Sequence, residues 1–128
     1  MKIKKNNGFT DILELVDEND KVAHALKISL DLDRVMQNIK PLQARYAEAE
    51  KKYNASGDID VVYNAALDLF ALLLGDENAK VIKEWYGDAK LGMINDICPY
   101  VANVIYPQIT ALAKKRADEY KALKKKIR

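Results

Sequence analysis

The chain has 128 residues, of which 49% are hydrophobic and 31% are charged, and its formal charge at pH 7 is +2. This length predicts one domain, 1–128, since domains commonly span roughly 100–150 residues. The composition is that of an ordinary globular protein and excludes a disordered or fibrous chain.

Three further features favour the cytoplasm. Met1-Lys2-Ile3-Lys4-Lys5 is followed by polar residues, so the N-terminal stretch does not look like a signal peptide. Cys98 is the only cysteine, which excludes an internal disulfide framework. No apolar run reaches the roughly 18–20 residues needed to span a bilayer, so we expect no membrane partner.

The first thirty residues predict a β-hairpin. Apolar and small or polar residues alternate over 22–30 with the period of a strand, and a second short apolar stretch covers 9–16. Asp17-Glu18-Asn19-Asp20 between them suits a turn. A helix over 10–16 is the alternative. An isolated hairpin is marginal in water, so it should pack on helices or on another subunit.

Residues 31–55 predict a long helix with a narrow apolar stripe. Ser29, Asp31 and Asp33 offer an N-cap and first-turn acids, and Ala55-Ser56-Gly57 follows as a stop signal. Pro41 lies inside, so we expect either a kink or two helices that meet at Pro41. The stripe has the alternating four- and three-residue spacing of a heptad, which lets one helix lie along another. Its members are Val35, Ile39, Leu42, Tyr46, Ala49 and Tyr53.

Residues 58–74 predict the central helix of a bundle, because apolar side chains cover most of its circumference. Gly75 ends this helix, and Asp76 can cap a next one that runs to Gly87. A short helix should then start at Asp88. Its apolar residues are Leu91, Met93, Ile94 and Ile97.

The remaining residues predict a separate long helix, with Pro99 in its first turn and Pro107 inside, where it should bend the helix. The predicted fold is therefore mainly α (α+β). It comprises an N-terminal β-hairpin (1–30), a helical body (31–113) and a basic helix end (114–128) that projects from the body. The helical part is a bundle of four to five helices with a long C-terminal helix.

The near-neutral total charge hides an uneven distribution. Residues 114–128 contain eight basic and two acidic residues, for a formal charge of +6, and residues 1–5 carry +3. Residues 6–113 therefore carry −7. Such an acidic body with two basic ends can attract phosphate or the acidic face of a neighbouring copy. A solvated helix end, favourable for the helix dipole, is the simpler explanation.

Few residues suit catalysis. His24 is the only histidine, and its place on the apolar side of a predicted strand favours a structural role. Cys98 has apolar neighbours, which should raise its pKa and leave it unreactive. The spacings typical of zinc sites and the Gly-rich phosphate loops are missing. We predict no catalytic, cofactor-binding or metal-binding site; a small enzyme with an unrecognised site is the least favoured alternative.

The seven tyrosines and Trp85 are better candidates for contact with another chain, because aromatic residues with polar tips favour interfaces. Tyr46 and Tyr53 lie one heptad apart on the stripe. They can pack on the protein's own core, or the helix can seat another chain. If the helix seats another chain, residues of its apolar stripe and of the basic end 114–128 form what we call the partner-binding set. Its predicted members are Val35, Ile39, Leu42, Tyr46, Tyr53, Lys114, Lys115 and Arg116.

Residues 66–79, which contain a Leu-Leu-Leu-Gly turn, and residues 94–101 resemble the tail assembly chaperones of long-tailed phages and prophages of Gram-positive bacteria. The similarity in plan covers roughly residues 25–125. It implies a non-enzymatic, homo-oligomeric protein that coats the tape-measure protein and recruits tail-tube subunits. It also implies that the protein acts in the host cytoplasm and is absent from the finished virion.

A small helical nucleic-acid-binding protein that uses the basic C-terminal helix is the alternative. Lysine dominates that end, with six Lys to two Arg, and lysine makes diffuse phosphate contacts rather than base readout. No helix-turn-helix or zinc pattern accompanies it. Nucleic acid is therefore the less favoured partner.

Overall fold

The computed structural model describes residues 1–5 and 8–127. A two-stranded antiparallel hairpin precedes four helices, and 72% of the structure is helical, which confirms the predicted fold class. The elements are β1 (Thr10–Val16), β2 (Val22–Ser29), α1 (Leu32–Ser56), α2 (Ile59–Leu74), α3 (Asp76–Tyr86) and the long helix α4. Helix α4 comprises α-helical Lys90–Tyr100, a π-helical turn Val101–Ile105 and α-helical Tyr106–Ile127.

The hairpin closes through a side-chain-supported turn. The Asp17 carboxylate accepts the backbone N–H groups of Asn19 and Lys21 at 2.8 and 3.0 Å, which stabilises the turn and disfavours the alternative helix over 10–16. That alternative is wrong. Only the end of β2 nearest α1 packs on the helices, so Leu26 is buried whereas His24, which we expected on an apolar face, is exposed.

Helix α1 runs unbroken through Pro41, so the expectation of two helices meeting there is wrong. A proline leaves the carbonyl four residues earlier without its helical partner, here that of Gln37. Both Pro41 and Gln37 are exposed, so water can hydrate this carbonyl. Asp31 and Gly57 cap the helix as predicted: Asp31 accepts the Arg34 N–H, and Gly57 takes a left-handed φ of 74°.

The predicted helix boundary at Cys98-Pro99 is also wrong, because α4 is one continuous helix of 38 residues. Pro99 is exposed, and so is Asn95, whose carbonyl loses its helical partner to the proline. Near Pro107, where we expected a bend, α4 departs from regular α-helical geometry: the π-helical turn ends two residues before this proline. This turn contains Asn103, whose carbonyl the proline ring would crowd in a regular α-helix.

A single buried cluster links the hairpin to all four helices, and α2 contributes more residues to it than any other element. Phe70 of α2 is fully buried, as are Ile28 of the hairpin and Ile105 of α4. Two side-chain hydrogen bonds, each 2.8 Å long, add to this packing: Tyr100 donates to the Asp11 carboxylate, and Asn78 donates to the carbonyl of Lys27. The hairpin is therefore held against the helices by burial and by these specific contacts.

Candidate partner-binding groove

An open groove of about 560 Å³ lies between the second half of α1 and the first half of α4. We call it the α1–α4 groove. Val62 of α2 contributes to its lining from below, and the two long helices form its walls. Its lining residues are Tyr46, Glu50, Tyr53, Asn54, Val62, Leu91, Ile94, Asn95, Cys98, Pro99, Ala102 and Asn103.

Each wall is one stripe of a helix. On α1, Tyr46, Glu50 and Tyr53 follow one another at spacings of four and three, so they share a face. On α4 the residues lie three or four positions apart over three turns, which also places them on one face. They are Leu91, Ile94, Cys98 and Ala102.

The α1–α4 groove is apolar inside and polar at its margins. Of the residues that the structure describes, Glu50 is the only charged one in its lining, and the other polar groups are the amides of Asn54, Asn95 and Asn103 and the two tyrosine hydroxyls. A concave apolar surface with a few polar groups at the edge suits the apolar side chains of a partner. A second cleft of similar volume, beside the Arg45–Asp68 ion pair, is more polar and lacks this character.

Tyr46 and Cys98 meet across the groove, where the tyrosine oxygen and the cysteine sulfur are 3.7 Å apart. Burial raises the pKa of the Tyr46 hydroxyl, and the contact with Cys98 raises this pKa further. Burial also raises the pKa of Cys98; the Tyr46 hydrogen bond opposes this rise, and the Glu50 carboxylate adds to it. Both groups are therefore neutral at pH 7 and behave as groove lining rather than as nucleophiles.

No known protein family, curated protein or solved structure matches this chain. Among the described residues, no group of three His, Cys, Asp or Glu side chains could hold a metal ion. In the same part of the chain, none of the helices combines the length and apolarity required to cross a bilayer.

The raised pKa of Cys98 leads to a testable result. Because the thiolate is the reactive form, the folded protein should react with iodoacetamide with a pH midpoint above the ordinary cysteine value of about 8.5. In urea the midpoint should return to that value, since unfolding removes the burial. Mass spectrometry of the alkylated protein over a pH series measures both curves, and coincident curves would contradict the burial of this thiol.

The structure divides the predicted partner-binding residues. Leu42, Tyr46 and Tyr53 are all half-buried against the core, so the two tyrosines do pack on the protein's own core. Their remaining exposed surface lines the α1–α4 groove. Val35 and Ile39 are only 0% and 8% exposed, so they belong to the protein's own core. Their assignment to the partner-binding set is corrected for this reason: the first half of the α1 stripe is already covered within the folded chain.

The three basic residues of that set lie on α4, at least eleven positions beyond the groove, which is about 16 Å along a helix. Lys114 and Lys115 are exposed. Arg116 donates to the Asp33 carboxylate at 2.7 Å, which ties α4 to the first turn of α1. The predicted set therefore contains two separate surfaces rather than one.

Sequence reasoning missed the α4 wall of the groove. Its signal is the apolar spacing from Leu91 through Ile94 and Cys98 to Ala102. The stripe becomes visible only when the helix is continued through Pro99. A helix boundary placed at that proline cuts the stripe in two.

Proposed function

We propose that this protein is a non-enzymatic phage tail assembly chaperone that binds the tape-measure protein in the α1–α4 groove. The groove, with Tyr46 and Tyr53 on one wall and a four-residue stripe of α4 on the other, is the observation that supports the proposal. The chaperone would act in the host cytoplasm, help recruit tail-tube subunits and leave before the virion is complete.

The dimensions of the groove favour a helical partner. Tyr46 and Tyr53 are seven residues apart on α1, about 10 Å or two helical turns. A client helix laid along such a groove can insert apolar side chains at positions i, i+3 or i+4, and i+7. A tape-measure chain is long, helical and apolar along stripes, so it needs this kind of cover to stay dispersed.

A long client also needs many copies of a small chaperone, so we propose a homo-oligomer. The hairpin offers a surface for contact between copies, because Ile12, Val16 and Val22 are 54%, 40% and 51% exposed. The outer edge of β1 also offers backbone groups that can pair with another chain, whereas on the β2 edge the carbonyl of Lys27 already accepts from Asn78.

Coexpression with a tape-measure chain tests the proposal. We expect the client, insoluble when expressed alone, to become soluble and to copurify with this protein in a complex with several chaperone copies for each client. Size-exclusion chromatography with light scattering measures that stoichiometry. A client that stays insoluble beside a folded, abundant and monomeric chaperone would contradict the proposal.

Nucleic-acid binding is the second candidate, favoured by the exposed lysines near the end of α4. Contact with phosphates would make duplex DNA binding fall steeply with salt concentration. Replacing Lys124, Lys125 and Lys126 by glutamine should then abolish this binding and leave client binding unchanged. Failure to bind duplex DNA at low salt would dismiss this candidate.

A further inference from the structure

The exposed apolar side chains of this protein concentrate at its two basic ends. Ten large hydrophobic residues are exposed in the described part of the chain, and five of them belong to these ends. Scattered single apolar residues are normal on a surface, whereas a concentration of them indicates an interaction site. The five are Met1, Ile3, Tyr120, Leu123 and Ile127.

The structure brings the two ends to the same place, the beginning of α1. The ammonium group of Lys5 lies 3.6 Å from the carboxylate of Asp31. Two residues further on, Asp33 accepts the hydrogen bond from Arg116 of α4. Gly8 lies so close to α4 that a Cβ atom there would be 2.7 Å from the side chain of Leu112.

Beyond this contact, α4 continues as what we call the C-terminal overhang, residues 117–127, in which every residue except Lys124 is exposed. Ile109 and Leu112 pack on the core, and the face that carries them continues into the overhang at helical spacing. Tyr120, Leu123 and Ile127 continue that face in solvent, flanked by four lysines. The overhang is thus a basic amphipathic helix.

The occupant of this surface must be negatively charged and must accept apolar side chains. Two overhangs of neighbouring copies would repel each other, because residues 114–128 carry +6. A nucleic acid supplies the charge but offers no apolar environment for methionine, leucine or isoleucine side chains. An anionic lipid surface supplies both, and its plane can receive two adjacent segments at once.

We propose that the N-terminal segment 1–5 and the C-terminal overhang together dock this protein onto an anionic lipid surface. The overhang lies at the headgroup level with Tyr120, Leu123 and Ile127 towards the acyl chains and its lysines among the lipid phosphates. Such docking needs no membrane-spanning segment, so the short apolar runs do not exclude it. The proposal therefore replaces the earlier expectation of no membrane partner.

Vesicle cosedimentation of the full chain tests the proposal. We expect binding to phosphatidylcholine/phosphatidylglycerol vesicles and none to phosphatidylcholine alone. The triple variant Lys124→Gln, Lys125→Gln, Lys126→Gln should bind roughly a hundredfold more weakly, since each lysine near an anionic surface contributes about fivefold. The double variant Leu123→Ser, Ile127→Ser should bind at least about tenfold more weakly, because it removes the apolar insertion.

Matched controls are available elsewhere on the surface. Leu91→Ser removes an exposed leucine of the groove, and Lys51→Gln, Lys52→Gln remove exposed lysines of α1; neither change should alter vesicle binding. A Leu123→Trp variant should show a blue shift of its fluorescence with anionic vesicles only, as the new indole leaves water. The wild type, whose only tryptophan is Trp85, should not show this shift.

Three outcomes would overturn the proposal. One is the absence of binding to anionic vesicles. Another is binding that the double serine variant leaves unchanged, which would show diffuse charge attraction alone. The third is a stable complex with an acidic protein or with a second copy, formed through the same residues by a protein that does not bind anionic vesicles. None of these results bears on client binding in the groove.

Discussion

Leu91→Asp is expected to lower the affinity for a tape-measure helix by at least ~30-fold. Leu91 lines the α1–α4 groove and is 46% exposed, so the free protein tolerates a carboxylate there. In the complex the same carboxylate would lie against apolar client side chains, and an unpaired polar group there costs about 2 kcal/mol or more. Isothermal titration with a peptide from the client measures the change.

Two further variants separate occupancy of the groove from a general surface effect. Ala102→Trp fills the groove from the α4 wall and should also abolish client binding, because the new indole occupies the space for client side chains. Met36→Asp places the same new charge on an exposed apolar position of α1 outside the groove and should leave the affinity unchanged. Equal affinities for the wild type, Leu91→Asp and Ala102→Trp would refute the groove as the binding site.

Phe70→Ala is expected to lower the free energy of unfolding by about 3–5 kcal/mol. Phe70 is 0% exposed and lies on α2, which contributes more core residues than any other element. The substitution removes an aromatic ring from a site that other elements enclose. The variant loses the free energy gained by burying that ring, and it retains a cavity that the packed neighbours can fill only in part.

Urea denaturation followed by circular dichroism measures this change. Because small domains are stable by only about 5–15 kcal/mol, the variant should unfold at a much lower urea concentration. Tyr120→Ala is the matched control: it truncates an aromatic ring that is 59% exposed and should shift the free energy of unfolding by less than about 0.5 kcal/mol. Similar effects at both positions would contradict the packing described for α2.

Local chemistry made much of the fold predictable. The turn residues between β1 and β2, the N-cap at Asp31 and the stop at Gly57 act on neighbours within a few positions, and all were identified from the sequence. The broad apolar circumference of residues 58–74 likewise predicted the central helix correctly, because a helix that is apolar on most sides must be enclosed.

Prolines caused the two errors in the helices. The sequence rule that a proline ends a helix assumes that the lost hydrogen bond goes uncompensated. At Pro41 and Pro99 the unpaired carbonyl belongs to an exposed residue, which water can satisfy, and at Pro107 a π-helical turn precedes the ring. Whether a proline breaks a helix depends on whether the unpaired carbonyl four residues earlier faces water or the core. The local sequence does not specify which of the two it faces.

The amino-acid sequence by itself determined the hairpin, the order of the first three helices, the caps of α1, the central position of α2 and the separation of charge between the ends and the body. These follow from spacing and from contacts between near neighbours in the chain. The expected cap at Asp76 is wrong, because Gly75 is the N-cap of α3 and Asp76 lies in its first turn.

Tertiary packing alone decided which residues of the α1 stripe are covered: Val35, Ile39 and Ala49 are enclosed, whereas Tyr46 and Tyr53 line an open groove. A heptad stripe looks alike along its length, and only the packing of the other elements against it determines where the apolar surface stays open.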